Sequence, residues 1–134
     1  MNVVAWLERI QKLDELIAAK RAERGRLREL AWNTVGSLDG MPHAPGIADK
    51  VGSLAAKIAD LDGDISRFDA ERHEIIKALE CLPSVEYGVI HREYVRGMKQ
   101  EEIARDMGYS TVSVWRIKKR ALKLLEAQME KERG

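Results

Sequence analysis

From Ile47 to Leu82 the apolar residues return at alternating steps of three and four: Ile47, Val51, Leu54, Ile58, Leu61, Ile65, Phe68, Ile75, Leu79 and Leu82, with Arg72 as the exception. Such a rhythm, kept over about five heptads, puts one apolar stripe along a long helix and demands a second helix to cover it. The candidate partner lies upstream, where Val3, Trp6, Ile10, Leu13 and Ile17 follow the same spacing. Lys20 and Arg24 interrupt that series before it resumes at Leu27 and Ala31. Between the two stripes lies "NTVGSLDGMPHAPG", too rich in Gly and Pro to continue a helix.

Two helices of roughly 30 and 35 residues, at about 1.5 Å per residue, reach similar lengths on either side of one break. The expected arrangement is an antiparallel hairpin, a coiled coil over residues 1–82 with its loop at 33–46. Val3 then lies near Leu79, Ile17 near Ile65 and Leu27 near Leu54. Lys20, Arg24 and Arg72 break the seams, which discourages open-ended association. Val3, Val4, Trp6, Leu7 and Ile10 form a face wider than one partner helix covers, so the tail of the chain or a second subunit should pack there. A homodimer is the expectation on the second alternative.

Composition agrees with an all-α protein. Ala, Leu, Glu, Lys, Arg and Ile dominate, and there is a single Phe. No apolar run approaches the roughly 20 residues of a membrane span, and no signal-peptide pattern opens the chain. Cys81 is alone, which excludes a disulfide framework and a cysteine-based zinc site, and a reducing cytoplasm is the expected compartment. His43, His73 and His91 lie apart, without paired metal spacing. No phosphate-cradling glycine motif is present, and neither an enzyme nor a bound cofactor is expected.

Pro83 ends the second long helix, and residues 83–134 form a distinct tail. Ser84 is placed to cap a new helix whose apolar face is Val85, Val89, Ile90 and Tyr94, and Gly97 closes it. The net charge of the whole chain is only +1, yet the tail holds eleven bases against eight acids. Within it, residues 110–125 contain Arg116, Lys118, Lys119, Arg120 and Lys123 and no acid. Asymmetry of this kind points towards nucleic acid.

Gln100 to Lys119 fits a helix-turn-helix position by position. Ala104 sits fifth, where two helices cross closely, and Gly108 ninth, where the turn needs a left-handed backbone. Ile103, Met107, Tyr109, Val114 and Ile117 take the apolar positions, and the Ser110 hydroxyl can cap the second helix. On that helix Val114, Ile117, Ala121 and Leu124 share one side. Val112, Arg116, Lys119 and Lys123 share the other, flanked by Arg120. A helix fits the major groove of B-form DNA with its N-terminal residues nearest the bases. Thr111, Val112, Trp115 and Arg116 are the expected base readers. Arg116 suits guanine, and Val112 or the Thr111 methyl suits a thymine methyl. Lys119, Arg120 and Lys123 are expected to meet phosphates.

The stretch "LPSVEYGVIHREYVRGMKQEEIARDMGYSTVSVWRIKKRALKLL" resembles region 4 of sigma-70-type factors, through its Leu-Pro start, "EEIA", "GYS" and "RAL". The resemblance implies a three-helix module of the kind that reads the −35 promoter element and can also touch RNA polymerase. Lys99 stands where such domains usually carry a Ser or Thr cap. No counterpart of the sigma region for the −10 element precedes it, so a complete sigma factor is not expected. The whole chain, including "GMPHAPGIADKVGSLAAKIADL", resembles small transcriptional regulators of phages and prophages of Gram-positive bacteria, which implies control of late genes. Two rival functions fit the same residues: a polymerase-binding module without its own DNA site, and the DNA-recognition small subunit of a phage packaging terminase.

Overall fold

The structure, a computed structural model, describes residues 2–36 and 46–133. Its elements are α1 (Val3–Gly36), α2 (Ile47–Ala78) with a closing 3-10 turn (Leu79–Cys81), α3 (Ser84–Ile90) continued by a π-helical turn (His91–Val95), α4 (Gln100–Met107) and α5 (Thr111–Arg133). The fold is all-α, and the described residues contain no strand. No described helix is long and apolar enough to cross a membrane, and no group of three or more His, Cys, Asp or Glu among the described residues could hold a metal. His43 and the Met41–Pro45 stretch lie outside the described residues.

Two compact units are present: Asp14–Ala70, and Met1–Leu13 together with Glu71–Gly134. In the first, Ile17 and Leu27 of α1 and Leu54 and Ile65 of α2 are buried. Lys20 Nζ lies 3.2 Å from Asp64 Oδ2, and Arg24 donates to Asp62 Oδ1 at 2.7 Å. Partner numbers fall as α1 numbers rise, the mark of antiparallel helices. The two cations that interrupt the apolar rhythm of α1 therefore each meet an acid of α2. Asn33–Gly36 remain helical, so α1 runs past the point where the spacing of Gly and Pro places the start of the loop.

The second unit explains the wide apolar face at the start of α1. Val3, Leu7, Ile10 and Leu13 are buried there, and Val4 and Trp6 are half-buried. Gln11 Nε2 donates to the Glu93 carbonyl at 3.4 Å, and Val3 lines one cleft with Glu126, Met129 and Arg133 of α5. Arg9 makes a forked pair with Glu71, at 2.6 and 3.3 Å. The tail of the same chain, one of the two coverings the sequence leaves open, thus meets this part of α1.

Local signals act largely as expected, with three corrections. Pro83, not Ser84, occupies the N-cap of α3, and no side chain caps it. Val85 is exposed and Glu86 takes the inward position beside Val89 and Ile90. At the far end of α5 the buried residue is Leu125, while Leu124 is exposed. Three turns of 3.6 residues carry the stripe from Val114 to Leu125, whereas Leu124 falls well off it.

Candidate nucleic-acid interface

The arrangement of α4 and α5 follows from a few residues. Gly108 ends α4 with φ 74° and ψ 32°, a left-handed conformation that any other residue adopts at a cost of roughly 1 kcal/mol or more. Ala104, small and buried at the crossing, accepts the Tyr109 amide at 2.9 Å. Ser110 caps α5, its Oγ accepting the Ser113 N–H at 3.1 Å and donating to Ser113 Oγ at 3.0 Å. Ile103, Val114 and Ile117 are buried with Val89 of α3, and Met98 and Met107 pack on that cluster. Tyr109 does not join them: it is 41% exposed, beside the start of α5.

At the head of α4, Lys99 offers no acceptor, so the usual hydroxyl cap is missing. Glu102 compensates in part, its Oε1 accepting the Lys99 N–H at 3.3 Å. Gln100 Nε2 donates to the Thr111 carbonyl at 2.9 Å and ties the first residue of α4 to the first of α5. Nothing in a single sequence signals that amide bond.

The basic helix is not uniformly bare. Lys118 Nζ lies 2.7 Å from Glu93 Oε2, and Arg120 Nε donates to Glu86 Oε1 at 2.8 Å. The bases that no acid answers within α5 are thus answered, in two cases, by acids of α3 and its π-helical extension. Burial alone lowers the Lys118 pKa, but the hydrogen bond and charge of Glu93, helped by Tyr94, raise it above the ordinary lysine value. Burial, reinforced by the Glu93 charge, raises the Tyr94 phenol against the opposing pull of Lys118. His91, stacked on Tyr87, is lowered by burial first and then by Arg96, Arg92 and Arg72, which keeps the imidazole mainly neutral at pH 7.

The carboxylate of Glu86 is only 8% exposed, whereas Arg120 is 60% exposed. Arg120 therefore has a fold role whatever else it reaches. Arg120→Ala should lower stability by about 1.5–3 kcal/mol, because it leaves the buried Glu86 carboxylate without its charged hydrogen-bond donor. Adding Glu86→Gln should return part of that loss, since a neutral amide is cheaper to bury. Equal melting temperatures for wild type and Arg120→Ala would refute the role.

Thr111, Val112, Trp115, Arg116, Lys119 and Lys123 all have exposed side chains, as does the capping Ser110. Val112 is 55% and Trp115 50% exposed, and Lys119 Nζ stands 5.4 Å from the Trp115 ring centroid. Arg116 makes no ion pair among the described residues. This side of α5 lies opposite Val114, Ile117, Ala121 and Leu125, which are buried.

Geometry of this kind defines a helix-turn-helix domain of the DNA-binding class, with α5 as the second helix. Residues 78–127 match the family model Sigma-70, region 4, which spans well under half of the chain. Searches of the curated proteins and of the solved structures find no match.

Proposed function

We propose that the chain is a sequence-specific regulator of transcription that binds double-stranded DNA by laying α5 in the major groove. The observation that carries this is the exposed, unpaired Arg116 at the centre of the solvent face of α5, on a helix set by the Gly108 turn and the Ser110 cap. Thr111, Val112, Trp115 and Arg116 face the bases, while Lys119 and Lys123, with the free part of Arg120, meet phosphates. Ser110 holds the helix start. In this reading residues 83–134 are the DNA-binding domain and residues 1–82 the hairpin that presents it, in the cytoplasm of a bacterial host. The resemblance of the whole chain to phage and prophage regulators supports late genes as the target.

Enrichment of a duplex from a random library by the full-length protein tests the reading, and a library from which nothing is enriched refutes it. Removing Lys119 and Lys123 together should reduce the slope of log affinity against log salt by about 0.9 for each phosphate that is no longer neutralised. An unchanged slope would place both lysines away from DNA.

A single module buries only about 600–1,000 Å² on DNA, and such domains commonly act in pairs on half-sites one helical turn apart. We extend the proposal to a homodimer, with the half-buried Val4 and Trp6 as the remaining apolar surface at the start of α1. Light scattering at micromolar concentration reads this directly. A monomer would point instead to RNA polymerase as the source of added affinity.

A further inference from the structure

We infer that the helix pair of Asp14–Ala70 carries a second seam on its outer side, and that this seam binds the same unit of a second copy of the chain. The inference does not depend on how α5 reads DNA; it gives the homodimer proposed above a contact within Asp14–Ala70. Trp32 is 78% exposed, and Val35, about one turn further along α1, is also exposed. Single exposed apolar residues need no explanation, but these two belong to a pattern. Arg21, Gly25, Arg28, Trp32 and Val35 recur at steps of four and three, the rhythm of the buried seam, and all five are exposed. Trp and Arg are the residues that most often anchor a protein interface. On α2, Gly52, Ala56, Ala59 and Gly63 keep the same rhythm, and all four are exposed and small.

Nothing within the chain accounts for the glycines. Glycine is a poor helix former, yet a Cβ at Gly25, Gly52 or Gly63 would meet no atom within 4 Å. The register of the two helices says what would use the space. Lys20 pairs with Asp64 and Arg24 with Asp62, so level residues of α1 and α2 have numbers that add to 84 or 86. A two-fold axis along the helices relates two copies without sliding one past the other. Under it α1 meets α2 of the second copy in the register of its own partner helix, and the contact occurs twice. Trp32 of one copy then stands level with Gly52 of the other, Arg28 with Ala56 and Arg21 with Gly63. Large side chains thus face small ones at every step. The exposed Asp60 of the second copy falls between the levels of the two arginines. Arg21, Arg28 and Asp60 make no ion pair among the described residues, so all three are open to this one. A foreign partner would need only one of the two strips. Agreement of size and charge between both strips, at a single register, is what a second copy requires.

The test measures the dissociation constant of the full-length dimer by light scattering and sedimentation. Trp32→Ala and Gly52→Leu should each raise it about tenfold or more. Both positions are exposed, so helix content by circular dichroism should match the wild type. In the double variant a large side chain again faces a small one, and the dimer should be about threefold tighter than the two separate losses multiplied together. Constants equal to the wild type in both single variants, or losses that simply multiply, would overturn the inference. A dimer abolished by Trp6→Glu but unchanged by Trp32→Ala and Gly52→Leu would overturn this seam and leave the homodimer at the start of α1. A monomeric wild type would overturn the seam and the homodimer together.

Discussion

Arg116→Ala should weaken binding to the enriched duplex by about 1–3 kcal/mol and relax preference at one base pair, with little change on random DNA. Three features of its position combine to give this. The residue is exposed on the side of α5 opposite the buried stripe, no acid among the described residues holds it, and it lies in the second turn from the capped end. A bidentate contact with guanine loses both hydrogen bonds at once when the side chain is removed. The melting temperature should stay put, which separates Arg116 from Arg120, where fold and charge are entangled through Glu86. Equal losses on cognate and random duplexes would show that Arg116 touches only phosphate. Lysine at this position should recover phosphate affinity but not the full discrimination, because an ammonium cannot fork.

A fragment of residues 71–134 should fail to melt cooperatively, although it contains the whole helix-turn-helix. Val3, Leu7, Ile10 and Leu13 belong to the same compact unit, and the last three are fully buried. Each such side chain contributes about 1.5–3 kcal/mol when buried, and a whole domain is stable by only about 5–15 kcal/mol. Removing four of them, with the apolar surface they cover left wet, removes much of the margin. The single change Leu7→Ala in the full chain should cost about 2–5 kcal/mol. Circular dichroism melts of fragment and full chain decide the matter. A fragment melting as sharply and as high as the full chain would show that the start of α1 is dispensable.

Much of this fold can be read from the order of residues, and the exceptions share a cause. Every apolar position of the α2 seam is buried or half-buried, and Gly108 and Ser110 act as a turn and a cap should. Periodicity treats acids as outward-facing, however, and so assigns Val85 to the core in place of Glu86. The carboxylate turns inward because Arg120, distant in sequence, is there to meet it. The π-helical turn at His91–Val95 adds a further shift of register that no single residue announces. Tyr109 departs from its expected place for a related reason: the residue after the turn glycine is usually apolar and covered, but this ring is left partly in solvent. The exposed face of α5 is legible as a face, since charge and spacing agree. Its two ion pairs are not, because both partners sit on other elements.

The unit that carries α5 is assembled from stretches that leave the ribosome far apart in time. Residues 3–13 emerge early, and the surfaces they cover arrive only after the whole of Asp14–Ala70 has been made. Contacts of such long sequence separation form slowly, because a long loop must close before any contact rewards it. Asp14–Ala70 is a compact unit in its own right and can organise before the later residues have been made. Until translation passes α5, the unit that carries it stays incomplete. Chains cut short before α5 would thus lack part of that unit's core and leave apolar side chains open to proteases and chaperones.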